Sequence, residues 1–190
     1  FEKLLKDYPH NLSVLRNISH AYAFSGAYQK AEESIKKMIK IKPDEPFAYQ
    51  FLASVLKNQD KITEMIKIVD EGLEKNLINK KWELQKKLLY PLIPRDKKEM
   101  DDYRKKIEKG LEEIINSDIR LNYDNDQVIS PPLFELTYTD KDNLEINKKM
   151  VKALKKIYQP LNHEISINKK LNDNIKIGFI SEFFTDHTIG

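Results

Sequence analysis

His187 is the histidine of this sequence with the most chemistry arranged around it. It closes the stretch Ile175-Lys-Ile-Gly-Phe-Ile-Ser-Glu-Phe-Phe-Thr-Asp-His187, a short β-branched run followed by a cluster of polar groups. An imidazole titrates near neutral pH, so it can take or give a proton during group transfer. Ile175 to Ser181 is apolar apart from Lys176, which suits a strand of a parallel sheet covered on both faces. Gly178 carries no side chain and lets a neighbouring backbone approach. In open α/β sheets, ligands bind beyond the carboxyl ends of the strands. Residues 181–190 occupy that place in the first strand-to-helix connection. His187 also reads as a loop histidine that caps the next helix or bonds a main-chain group. At this level both readings stay open.

The rest of the sequence excludes several other chemistries. There is no cysteine, hence no disulfide, thiolate zinc site or cysteine nucleophile. His20 falls inside a predicted helix and reads as structural, while His10 and His163 lie at turns. No two histidines share a metal-ligand spacing, and no metal is expected. No phosphate-binding glycine loop and no serine-nucleophile elbow appears. Asp124 and Asp126 lack the spaced carboxylates, the glycine and the final glutamate of a calcium loop. Charged residues make up 33% of the 190 and apolar ones 40%, with a net charge of +3. That is a soluble globular composition. Lysines alternate with acids along predicted helices, which is a solvated face rather than a nucleic-acid surface. No apolar run reaches the roughly 18–20 residues needed to span a bilayer. Phe1 is followed by no basic and apolar leader. The cytoplasm is the expected compartment, and neither membrane nor nucleic acid is an expected partner.

The elements that must position His187 are helical. Pro9 and Pro43 are 34 residues apart, as are Leu15 and Tyr49, Ile18 and Leu52, Ser19 and Ala53, Tyr22 and Leu56, and Ile35 and Val69. A period of about 34 is that of tetratricopeptide repeats, each a helix–turn–helix unit. Residues 12–44 fit that pattern best. Ser19 and Ala31 are small where two helices cross. Tyr22 and Ile35 fill the groove between units. Gly26 tolerates positive φ in the turn, and Pro43 stops the second helix. Residues 1–6 read as the second helix of a preceding unit, so the chain is expected to begin inside a repeat. Residues 46–77 form a degenerate unit, with Met65 in place of alanine and Leu77 in place of proline.

Beyond the repeats, 79–92 is expected to be a helix with Trp82, Leu88, Leu89 and Leu92 in the core, ended by Pro91 and Pro94. Asp96-Lys-Lys-Glu99 resembles a capping box opening a helix to about Asn116. Met100, Tyr103, Ile107, Leu111 and Ile114 give it one apolar stripe. Residues 118–140 are irregular, with Pro131-Pro-Leu-Phe134 expected to be extended. A further helix starts near Asp142 and runs to Tyr158 through Ile146, Met150, Leu154 and Ile157. Residues 161–174 read as a polar linker.

Taken in this order, the features resemble the O-linked N-acetylglucosamine transferase / SPINDLY glycosyltransferases, in their bacterial form. They are tetratricopeptide units, a helical transition, a Pro-Pro-Leu-Phe segment and then Ile-Gly-Phe-Ile-Ser-x-x-Phe-x-x-His. The resemblance implies a mainly α chain. Repeats would span 1–78, a transition region 79–160, and a linker with the start of the catalytic domain 161–190. The strand would open a Rossmann-like lobe of a two-lobed (GT-B) enzyme. His187 matches the family's active-site histidine, and Ser181 and Phe184 match the motif's substrate-side serine and phenylalanine. Phe183 and Thr188 depart from the aspartate and proline of better-known members. The implied activity is transfer of a sugar from a UDP- or GDP-linked donor to Ser/Thr of proteins, with the repeat groove holding the acceptor. No further cofactor is implied. The donor would bind mainly in sequence after Gly190, so this stretch alone is expected to be inactive. A non-catalytic repeat scaffold is the alternative.

Overall fold

The computed structural model describes residues 2–122, 129 and 131–158. Nine α-helices occur among them: α1 (Glu2–Asp7), α2 (Leu12–Phe24), α3 (Tyr28–Ile41), α4 (Pro46–Asn58), α5 (Ile62–Glu74), α6 (Lys81–Lys87), α7 (Lys97–Asn116), α8 (Leu133–Leu136) and α9 (Leu144–Ile157). The described part is thus mainly helical, as expected, and contains no strand. The predicted strand 175–181, the linker 161–174 and the Asp124/Asp126 pair lie outside the described residues.

Two helical hairpins, α2/α3 and α4/α5, repeat one another at 34 residues in backbone as well as in sequence. Leu15, Ile18, Ser19, Ala31 and Ile35 are buried, and so are Tyr49, Leu52, Ala53, Met65 and Val69 at the matching positions. Ser19 keeps its small polar side chain inside the core by donating to the Leu15 carbonyl at 2.6 Å. The turns match atom for atom. Gly26 (φ 78°) and Asp60 (φ 58°) both adopt the left-handed conformation. Ala27 N–H donates to the Tyr22 carbonyl at 2.8 Å, and Lys61 N–H to the Leu56 carbonyl at 2.9 Å. This is a Schellman closure, which satisfies carbonyls at a helix end. The second unit is degenerate in sequence but complete in structure. Where it lacks the terminating proline, Asn76 turns left-handed (φ 56°) and ends α5. Gly72, at the position of Met38, leaves room for Ile78, whose side chain would sit 3.0 Å from a Cβ there.

Glu32 of α3 ties the two hairpins together. Its carboxylate is buried and accepts from Lys36 at 2.5 Å, Lys61 at 2.7 Å and Gln59 at 2.9 Å. Burial alone would raise its pKa. The three hydrogen bonds outweigh burial and hold it lowered to about 2.

The second half differs from its sequence reading in three places. The helix expected over 79–92 is only Lys81–Lys87, and Leu92 is 51% exposed rather than core. Pro91 biases the preceding residue away from helix, and α7 packs against the carboxyl end of α6. A Cβ on Gly110 would collide with the Lys87 carbonyl oxygen. The Pro131–Phe134 segment is not extended. Leu133–Leu136 is a helical turn, and Phe134 is exposed. Asp96 does cap α7, accepting from Glu99 N–H at 2.8 Å. The return contact of the box is displaced by one residue: Glu99 accepts from Arg95 N–H at 2.6 Å and from its guanidinium.

These helices form two hydrophobic clusters. One runs from Leu15 through α2–α5 to Ile78, Trp82 and Leu89. The other joins Leu84 and Leu88 to Ile107, Leu111 and Ile114 of α7 and to Ile146, Met150, Ala153 and Ile157 of α9. Short α6 serves both, with Trp82 in the first cluster and Leu84 in the second. Tyr103 packs against each.

Candidate functional site

The described surface with the most recognition chemistry lies across α2 and α4. On α2, Arg16, His20 and Phe24 follow at intervals of four, which places them in one row along the helix. On α4, Phe47 and Phe51 do the same. The rows meet. The Arg16 guanidinium lies 4.0 Å from the Phe47 ring centre. The His20 ring is 4.4 Å from Phe51 and 5.3 Å from Phe47, and the two phenylalanines are 5.2 Å apart. Such spacings allow aromatic and cation–π attraction. Phe47 and Phe51 are half-buried, Arg16 and His20 exposed. Phe24 is 99% exposed and caps the row.

The charges of this face are one-sided. Neither α2 nor α4 contains an aspartate or glutamate; their ionic residues are Arg16 and Lys57, with His20 beside them. The helical acids of the hairpins sit instead on α3 (Glu32, Glu33) and α5 (Glu64, Asp70, Glu71, Glu74), while Asp60 lies in the α4–α5 turn and Glu45, just before α4, pairs with Lys42 at 2.9 Å. Arg16 forms no ion pair among the described residues. Its face can therefore offer a guanidinium fork, an imidazole and three aromatic rings to a partner.

Other candidates carry less. A cleft between the α4–α5 turn, Pro91, Ile93 and the start of α7 is rimmed by Arg95, Glu99 and Tyr103, but Arg95 and Glu99 neutralise one another at 2.9 Å. On α9, Lys148 pairs with Glu145 and Lys149 with Glu112 of α7. No group of metal-ligating side chains occurs among the described residues, and no described helix is long and apolar enough to cross a membrane.

The sequence-derived candidates His187, Ser181 and Phe184 lie outside the described residues. Of the residues on the α2/α4 face, only His20 drew attention in the sequence, and it was expected to be structural. The structure puts its ring on the surface, among phenylalanines. A signal was present: Phe47 and Phe51 stand at the 34-residue equivalents of Ser13 and Asn17. Two large aromatics thus replace polar residues on a face that the period marks as outward. The chain matches no protein-family model and no solved structure.

Proposed function

We propose that this chain is the N-terminal part of a protein O-glycosyltransferase. It would move a sugar from a UDP- or GDP-linked donor to Ser/Thr hydroxyls, with its repeat hairpins holding the acceptor polypeptide. The observation that carries this reading is the order of parts. Two helical hairpins in 34-residue register, with an exposed aromatic and cationic face, stand ahead of Ile-Gly-Phe-Ile-Ser-x-x-Phe-x-x-His. Stacked helix pairs create extended surfaces suited to polypeptides. The resemblance implies that this histidine follows a sheet-opening strand, and in open α/β sheets ligands bind beyond such strand ends. In the transfer, the acceptor hydroxyl oxygen bonds to the anomeric carbon as the nucleoside diphosphate departs, and the hydroxyl loses its proton. His187 either takes that proton or orients the hydroxyl. Ser181 and Phe184 contact substrate.

The second reading, a scaffold without catalysis, draws on the same α2/α4 face. Incubating the full-length protein with UDP- and GDP-linked sugars and a serine-rich peptide, then mapping the product by mass spectrometry, separates the two. Transfer to Ser/Thr is expected, and His187→Ala should lower it roughly 100-fold or more, the usual range for a lost acid–base group. Undiminished turnover in that variant would remove the catalytic role. Absence of transfer from every donor would leave the scaffold.

A further inference from the structure

We infer that the α2/α4 face selects acidic polypeptide segments that carry an aromatic or large apolar residue beside the carboxylate. The inference rests on the reading of the hairpins as a polypeptide-binding module, and it adds the chemistry of what they bind. Arg16, His20, Phe47 and Phe51 form a continuous cluster across two helices, with ring and guanidinium contacts of 4.0 to 5.3 Å. Arg16 lies over the Phe47 ring. That stack fixes the guanidinium, whose planar fork then faces outward for a carboxylate. Neither helix supplies a carboxylate of its own, so a docked acid meets no competitor there. Phe24 is 99% exposed and offers an apolar anchor one turn beyond His20. Rigid aromatics and arginine are the residue types that dominate interface energies. A basic segment would meet like charge at Arg16 and gain no partner carboxylate from either helix.

The experiment is fluorescence anisotropy of the full-length protein with four labelled twelve-residue peptides of one Gly/Ser frame. The first carries Asp, Glu and Phe. The second carries Lys in place of the acids, the third Ala in place of Phe, and the fourth neither charge nor ring. Binding is expected in the order first, third, fourth, second, and to weaken with added salt. Phe24→Ser and Arg16→Gln should each weaken the first peptide by roughly tenfold. Phe24 is fully exposed, so its variant should keep the parent melting temperature, which makes a folding defect easy to see. Equal binding of the lysine peptide, or unchanged affinity in both variants, would overturn the inference. If peptides bind at this face without charge preference, acid selectivity falls while the polypeptide-binding reading stands. If sugar transfer proceeds and no peptide binds here, the face is not the acceptor site and the inference fails alone. If the acidic peptide binds and no sugar is transferred, the transferase reading fails and the inference stands.

Discussion

Position 110 shows how much a single hydrogen can matter. Gly110 lies in the middle of α7, where alanine would be the better helix former by about 1 kcal/mol. A Cβ there would fall inside contact distance of the Lys87 carbonyl oxygen and its Cβ. Backbone cannot swing away as the tip of a side chain can. Gly110→Ala should therefore destabilise the fold by about 1–3 kcal/mol despite its propensity gain, read as a lowered urea midpoint. Gly26 makes the contrast. A Cβ there meets nothing within 4 Å, but φ is 78°, so Gly26→Ala should cost only the left-handed penalty of about 1 kcal/mol. The Gly26 turn was legible, because a lone glycine between two helical periods marks a turn. Gly110 was not, because nothing local to an apolar stripe announces which backbone will lie against it. The same limit hid the Arg16–Phe47 and His20–Phe51 pairs, whose members are 31 residues apart in each case.

Among elements, the junction between hairpins depends on one carboxylate. Glu32 on α3 receives hydrogen bonds from Gln59 and Lys61, which flank the α4–α5 turn. A surface pair would contribute little, but Glu32 is 6% exposed, and its alternative is a buried charge without partners. Its folded pKa of about 2 lies below the model-compound value of 4.5. The native state therefore holds fewer protons than the unfolded chain in that interval. The contribution is complete above about pH 4.5 and is lost as pH falls through about 2. Its size is on the order of 3 kcal/mol. Stability measured by denaturant between pH 5 and 2 should fall steeply in the parent and more gently in Glu32→Gln. Parallel curves would show that Glu32 is not the group that titrates. At this scale the period did well. Helix starts at Leu12, Pro46, Tyr28 and Ile62 follow it, because each unit buries the same positions against its neighbour. Beyond the repeats, the helix expected over 79–92 is cut to seven residues, where α6 serves two clusters.

For the molecule as a whole, the issue is how the repeat hairpins are coupled to the part that leads toward His187. Among the described residues, α6, Tyr103 and the 88–96 segment bridge the two clusters. In the second cluster α9 is held by a polar anchor as well as by its apolar stripe. Arg104 of α7 is 8% exposed. It donates to the Asn143 side-chain oxygen at 2.6 Å and the Asp142 carbonyl at 2.7 Å, and Asn143 donates in turn to the Leu136 carbonyl at 2.9 Å. One guanidinium thereby fixes the start of α9 and the end of α8 on α7. Removing it takes two hydrogen bonds from the half-buried Asn143 side chain and the Asp142 carbonyl, a loss of about 1 kcal/mol. Because helix-pair arrays are stabilised by neighbour contacts, that loss should stay local. In Arg104→Met, amide exchange should quicken across α7–α9 and remain unchanged in α2–α5. Exchange rising equally in both clusters would show a single cooperative unit instead. The same variant divides the two tasks proposed for the protein. The acidic–aromatic peptide should bind with parent affinity, since Arg16, Phe24 and Phe47 are untouched, while the proposed sugar transfer should fall because the start of α9 is no longer anchored on α7. Loss of both together would mean that acceptor binding itself requires the second cluster.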